Sequence, residues 1–337
     1  MKRKLLFGSI LSLLFLYLAF RKSDFAQIIE HIRNTRMIYL LPGVILTLLS
    51  YFVRAVRWRY LLASVKTISL SPLFKSTMIG FMANNLLPAR LGELVRAHTI
   101  GTWEGISRSS ALATIAMERV FDLYTMLVLF GVISIFLPLT PAVQKLGMIG
   151  LLFGLLVLGL FILLLRAGPK TIQLFGRYIP SRFRERGIGL LCAFQEGLGV
   201  LKKGRQLLWA SMLSVLMWGF IVGVIYLCFT ATEIEVDGKP LPVSAAVVVL
   251  VVMAIGLMVP SGPGFIGSLQ LAAKLGLRVF GVEDNMALSF AIVYHATQWV
   301  PVTLVGLIFL IHANLSLKEI SRTSTGDKGR DPTGAGL

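Results

Sequence analysis

The chain reads as an all-α polytopic membrane protein, with six full spans plus two broken (re-entrant) helical hairpins set in inverted repeats. Apolar residues make up 56% of the 337 residues and charged ones only 15%, with a mean hydropathy of +0.80; a soluble domain carries about 25% charged residues. Apolar stretches over residues 5–20, 37–53, 111–137, 142–165, 207–230 and 287–313 each approach the ~20 residues that cross a bilayer as helix. Two further apolar zones, 71–107 and 243–284, are each cut by a Pro/Gly break into arms too short to cross. Such backbone is tolerated at membrane depth only inside protein or along a cavity.

The order of elements follows from these runs and the charges between them. Met1-Lys2-Arg3-Lys4 and the apolar run to Phe20 have the form of a signal peptide. No small-residue cleavage site precedes Arg21-Lys22-Ser23-Asp24, so a retained first span is expected. After the second span, Arg54-Ala55-Val56-Arg57-Trp58-Arg59-Tyr60 reads most simply as an interfacial anchor, aromatics at headgroup depth and cations on anionic lipid. Residues 188–208, ending in Lys202, Lys203 and Arg205, read as a helix along the cytoplasmic surface. Residues 314–337 read as a disordered cytoplasmic tail. Cys192 and Cys228 are read as free thiols.

The net charge of +17 sits in short Lys/Arg clusters beside apolar runs, the signature of cytoplasmic membrane loops rather than of a nucleic-acid surface. The basic loop 167–206 and the cations that follow residue 53 face the cytoplasm, whereas Glu233, Glu235 and Asp237 mark an external loop. Both termini are then cytoplasmic in a multi-pass protein of the cell (inner or plasma) membrane. With that topology the two broken zones run in opposite senses, giving one transmembrane domain over 1–313 with repeats at about 37–137 and 207–313. Inverted repeats with discontinuous helices place a site at the midplane, where the breaks meet.

The first break, Asn84-Asn85-Leu86-Leu87-Pro88-Ala89-Arg90-Leu91-Gly92-Glu93-Leu94-Val95-Arg96, and the second, Val259-Pro260-Ser261-Gly262-Pro263-Gly264-Phe265-Ile266-Gly267-Ser268, each leave a helix N-terminus inside the protein, near 88–91 and 263–266. Free N–H groups and the helix dipole make such ends anion sites. Arg90 and Arg96 add full charges, and a planar guanidinium can give two hydrogen bonds to one phosphate. The Gly262-Pro263-Gly264 turn lets a ligand approach the main chain. Thr114, Glu118 and Asp122 fall four apart on one helix face, with Arg119 beside them. One charge at the bilayer centre costs roughly 2.5 to 3.5 kcal/mol. These residues must therefore pair, line water, or both. Pairing alone, which only locks helices together, is the alternative to substrate binding. The matching face of the second repeat, Tyr294, His295 and Gln298, is polar but neutral.

At Asn85-Leu86-Leu87-Pro88-x-Arg90-x-Gly92-Glu93-x-x-Arg96, then Glu118-Arg119-x-x-Asp122, then Pro260-Ser261-Gly262-Pro263-Gly264-x-x-Gly267, the chain resembles the lysylphosphatidylglycerol synthase transmembrane family, flippase-like proteins related to the membrane half of the bacterial multiple peptide resistance factor. The family commonly has a Glu just beyond that last glycine, where this chain has Ser268, Leu269 and Gln270. The resemblance implies movement of a lipid between leaflets. The expected substrate-binding set is Asn85, Arg90, Glu93, Arg96, Glu118, Arg119, Asp122, Ser261, Gly262, Gly264, His295 and Gln298.

The reading that follows is a lipid translocator for an anionic phospholipid or polyprenyl-phosphate-type lipid, and not an enzyme. The alternative is a membrane enzyme or enzyme subunit acting on a lipid-linked sugar. No Gly-x-x-x-x-Gly-Lys-Ser/Thr, Cys-x-x-Cys or His-Glu-x-x-His occurs, so no cofactor or metal is expected. Expected partners are membrane lipids with anionic headgroups, no nucleic acid, and either a second copy of the chain or a lipid-synthesising enzyme.

Overall fold

In the computed structural model, which describes residues 2–87, 91–136, 141–166, 184–197, 199, 203–258 and 262–313, nearly every element is a helix. α1 (Lys2–Phe20) leads into α2 (Phe25–Arg33), which occupies what reads in the sequence as a charged loop. The Asp24 carboxylate starts α2 by accepting from the N–H groups of Ala26 and Gln27 at 2.8 and 3.4 Å. A 3-10 turn at Met37–Tyr39 opens α3 (Leu40–Leu62), which continues past the expected end of its span and carries Arg54, Arg57 and Trp58 inward. The arms of the first broken zone are α4 (Leu70–Leu86) and α5 (Gly92–Glu104). Next come α6 (Arg108–Phe136), α7 (Pro141–Arg166) and α8 (Arg184–Gly197).

The single surface helix expected over 188–208 is not formed. α8 ends at Gly197 and packs on α6, and α9 (Gly204–Ala231) starts afresh at Gly204. A small hairpin, β1 (Glu235–Val236) against β2 (Lys239–Pro240), pairs Glu235 with Pro240 and Val236 with Lys239. Its turn residues Asp237 and Gly238 have φ of 53° and 69°, as a tight two-residue hairpin turn requires. The second broken zone comprises α10 (Val243–Met258), a 3-10 turn at Pro263–Phe265, and α11 (Ser268–Arg278). α12 (Asp284–His312) ends the described chain.

Packing relates the two halves. α3 lies along α9, α4 along α12, and α6 against α10, while the arms of each broken zone pack on each other. Two large apolar clusters form, each drawn mostly from one half. Trp58, Leu61, Ile100, Ile115 and Phe121 belong to one, and Val224, Phe229, Val249, Leu277 and Phe290 to the other. Glycine allows the closest approaches: a Cβ on Gly92 would sit 1.9 Å from the Gly80 carbonyl oxygen, and one on Gly306 2.3 Å from Met82 Cβ. α5 and α12 thereby press directly on α4.

Among the described residues, 3 helices are long and apolar enough to cross a membrane: Met37–Leu62, Gly204–Ala231 and Asp284–His312. Their outer faces expose Leu41, Ile45, Val215, Leu216, Leu304 and Ile308, surface that belongs in lipid rather than water. α6 has the same length as α12, 29 residues, and carries Glu118, Arg119 and Asp122. The molecule is an all-α membrane protein.

Candidate functional site

The charged residues of the first half converge where α3, α5, α6 and α9 meet. Arg96 on α5 points both terminal nitrogens at Glu118 on α6, Nη1 to Oε2 at 2.6 Å and Nη2 to Oε1 at 2.8 Å, a bidentate pair. Both groups are buried. The Trp58 ring covers the guanidinium, its centroid 3.6 Å from Arg96 Cζ, and Trp58 Nε1 donates to Thr114 Oγ1 at 2.9 Å. The Thr114, Glu118 and Asp122 face thus meets partners along its whole length.

One turn along α6, Asp122 collects three arginines. Its Oδ1 accepts from Arg57 Nη1 at 2.8 Å and its Oδ2 from Arg54 Nη1 at 3.2 Å and Arg119 Nη1 at 3.4 Å. Trp218 Nε1 on α9 donates to Oδ1 at 3.3 Å, and Ser214 Oγ accepts from Arg57 Nη1 at 2.7 Å. Arg54 also lies 5.0 Å from the Phe81 ring centroid, a cation–π contact that helps an arginine leave water. At the edge of the cluster Arg119 Nε donates to Glu93 Oε1 at 2.9 Å, and both side chains are 41% exposed.

Four guanidinium groups therefore face three carboxylates, and the described cluster keeps one positive charge. Its members differ in freedom. Arg96 is committed to Glu118 inside the protein, whereas exposed pairs such as Glu93–Arg119 are worth only about 0 to 1 kcal/mol. An anion reaching this edge can take Arg119 from Glu93 at small cost, and Asp122 remains paired with Arg54 and Arg57.

The two breaks are in contact. Gly264, at φ 65°, backs onto the first break: a Cβ there would lie 3.1 Å from the Asn85 carbonyl oxygen and 2.8 Å from Trp299 Nε1. Asn85 Nδ2 donates to Thr303 Oγ1 at 2.9 Å, tying α4 to α12. The leading N–H of α5, on Gly92, is taken by Asn84 Oδ1 at 2.8 Å. In the second break Gly262 N–H donates to Ser12 Oγ on α1 at 2.7 Å, and Gly267 N–H donates to Gln270 Oε1 at 2.7 Å. Gln270 then turns its NH2 to His295 Nδ1 at 3.0 Å. Gln298 Nε2 is buried without a hydrogen-bond partner. Arg90 and Ser261, and the tail over 314–337, lie outside the described residues.

The interfacial-anchor reading of residues 54–60 is corrected by the fold for Arg54, Arg57 and Trp58, whereas Arg59 is exposed. Arg54 and Arg57 are 6% and 0% exposed, Trp58 is fully buried, and all three belong to the cluster. Cations at i and i+3 fall on one helix face, and no acid lies near them in sequence. That absence was the available sign that their partner comes from another helix. Ser214 and Trp218 gave no such sign.

Fold and site together define a helical membrane protein whose two broken hairpins meet beside a buried, net-positive arginine–carboxylate cluster. The chain belongs to the family described as Lysylphosphatidylglycerol synthase TM region, which it matches over residues 5–306. It is similar to a UPF0104 membrane protein of Methanothermobacter thermautotrophicus, 24% identical over 87% of this chain and 90% of the relative. A UPF0104 membrane protein of Methanocaldococcus jannaschii is 23% identical over 90% of this chain and 93% of its own length. Glycosyltransferase AglD of Haloferax volcanii is 22% identical over 96% of this chain and 57% of that protein. The expectation that the chain is not an enzyme is corrected by this last comparison, since a relative that aligns with nearly the whole chain is named for catalysis.

Proposed function

We propose that the chain is the membrane-embedded, lipid-phosphate-binding part of a system that transfers a sugar to or from a lipid carrier. The half-exposed Glu93–Arg119 pair at the edge of a net-positive buried cluster carries the reading. It presents a loosely held guanidinium to a phosphate at the border of an apolar body, where the lipid's tails stay in the bilayer. Likeness to a named glycosyltransferase supports a sugar as the group on that phosphate. Arg119 and Arg90 bind the phosphate, Glu93 exchanges partners with it, and Arg96, Glu118 and Asp122 hold the frame. Asn85, Gly262, Gly264, His295 and Gln298, with Ser261 next to Gly262 in sequence, are the neutral groups proposed to meet the carrier's polar group.

The proposed architecture completes six full spans and two re-entrant hairpins as inverted repeats within one domain over 1–313, both termini in the cytoplasm and the protein in the cell membrane. The reciprocal packing of α4 on α12 and α10 on α6 supports the repeat. The same packing favours a second activity at this site, movement of the lipid between leaflets as the halves rock. A second copy or a lipid-synthesising enzyme is the proposed protein partner.

The test uses purified protein in vesicles with a radiolabelled polyprenyl-phosphate sugar, following binding and passage of label to an acceptor. Saturable binding that falls about tenfold in Arg119→Gln, the loss of one charge-assisted contact, supports the reading. Absent binding, or an Arg119→Gln variant equal to wild type, overturns it. Quenching of a fluorescent analogue from one leaflet reads the second activity.

A further inference from the structure

Arg57 is fully buried, yet it uses only part of its guanidinium. Nη1 donates to both Asp122 Oδ1 at 2.8 Å and Ser214 Oγ at 2.7 Å. Nε and Nη2 are buried without a hydrogen-bond partner. These nitrogens form the side-on edge of the group, where two N–H bonds point the same way and match two oxygens of one oxyanion. A native interior seldom leaves donors of a charged group unused. Arg96 offers no such edge: Glu118 occupies both its terminal nitrogens, Trp58 covers its face, and only Nε is left over.

We infer that the side-on edge of Arg57 is the inner seat for the phosphate group, taking two of its non-bridging oxygens. The inference rests on the lipid-phosphate reading above and deepens it. Arg119 and Arg57 flank Asp122 on opposite oxygens, Oδ2 and Oδ1. A phosphate that takes Arg119 from Glu93 at the edge is one carboxylate away from Arg57, whose side-on edge is closed in this conformation and opens as the phosphate enters, while Arg54 keeps its own bond to Asp122. The seat selects any group that shows two free oxygens on one phosphorus, in a phosphate monoester or a phosphodiester. Arg57 belongs to the set that binds and not to an interfacial anchor.

The test compares wild type with Arg57→Lys in detergent micelles. Lysine keeps the positive charge beside Asp122 and Ser214 but has no planar fork. The probes are farnesyl phosphate, farnesol and inorganic phosphate, titrated by calorimetry. The expected result is saturable binding of farnesyl phosphate by wild type, none of farnesol, and an affinity about tenfold or more lower in Arg57→Lys. A structure of the wild-type complex is the second measurement, with phosphorus expected within about 4 Å of Arg57 Cζ; it decides the matter even where the lysine variant does not fold. Equal affinity in the two proteins, or phosphorus seated on Arg119 alone, overturns the assignment to Arg57 and leaves the proposed function standing. No binding by wild type overturns both. Inorganic phosphate binding as tightly as farnesyl phosphate, with the same dependence on Arg57, assigns the edge to soluble phosphate and overturns the lipid origin.

Discussion

Glu118→Gln removes the counter-ion of Arg96 while keeping the shape of the side chain. In the folded protein Arg96 is 2% exposed and Glu118 0%, joined at 2.6 and 2.8 Å. The amide retains one acceptor for the guanidinium and turns an NH2 group toward the other nitrogen, so one hydrogen bond is lost and the charge of Arg96 is left without its partner. Breaking a buried pair from one side costs about 3 to 5 kcal/mol. The face of Trp58, 3.6 Å from Arg96 Cζ, already stabilises the cation and does so equally in the variant. The expected loss is therefore about 3 kcal/mol, the low end of that range. Unfolding in mixed micelles of increasing dodecyl sulfate content, followed by helical circular dichroism, measures it. The double variant Arg96→Met/Glu118→Leu should recover to within about 1 kcal/mol of wild type, because an apolar pair of similar volume replaces a buried ion pair at little cost. A single variant as stable as wild type, or a double variant no better than the single, would refute the assignment of this pair to the interior.

Other substitutions probe the frame and its edge. Glu93→Gln acts on a half-exposed pair and should change stability by less than about 1 kcal/mol; a loss as large as that of Glu118→Gln would place Glu93 in the frame instead. Gly92→Ala puts a Cβ 1.9 Å from the Gly80 carbonyl oxygen, so α5 must shift away from α4 at a cost of about 3 kcal/mol, read in the same unfolding assay. Cys192 is exposed and Cys228 buried, so a maleimide should modify only Cys192 in folded protein and both thiols after denaturation. Equal labelling rates in the folded state would contradict the packing of α9.

Much of the architecture is legible along the chain because it is local. The Pro/Gly breaks at 88–92 and 260–267 end helices wherever they occur, and the arms on either side, α4, α5, α10 and α11, lie where the apolar runs place them. The i, i+4 spacing of Thr114, Glu118 and Asp122 likewise forces one face, and all three are buried there. α2 was less legible because a short amphipathic helix between charges has the composition of a loop, and its start depends on the Asp24 cap.

Residues 54–60 mark the boundary of that legibility. Arginines, tryptophan and tyrosine after an apolar run are what an interfacial anchor requires, and also what a buried cation site requires. The two differ only in whether another helix brings a carboxylate within 3 Å or so. Asp122 is 68 positions from Arg54 and 65 from Arg57, and nothing local ties those positions together. The sequence by itself determined a membrane protein, two interrupted hairpins and an acidic face on one helix, because run length, proline and helical period act over a few turns. Which arginine meets which carboxylate, that Arg96 is locked while Arg119 is loosely held, and that Arg57 keeps a free edge, were decided only when α3, α5, α6 and α9 packed together: ion pairing depends on distance in space, which the order of residues does not contain.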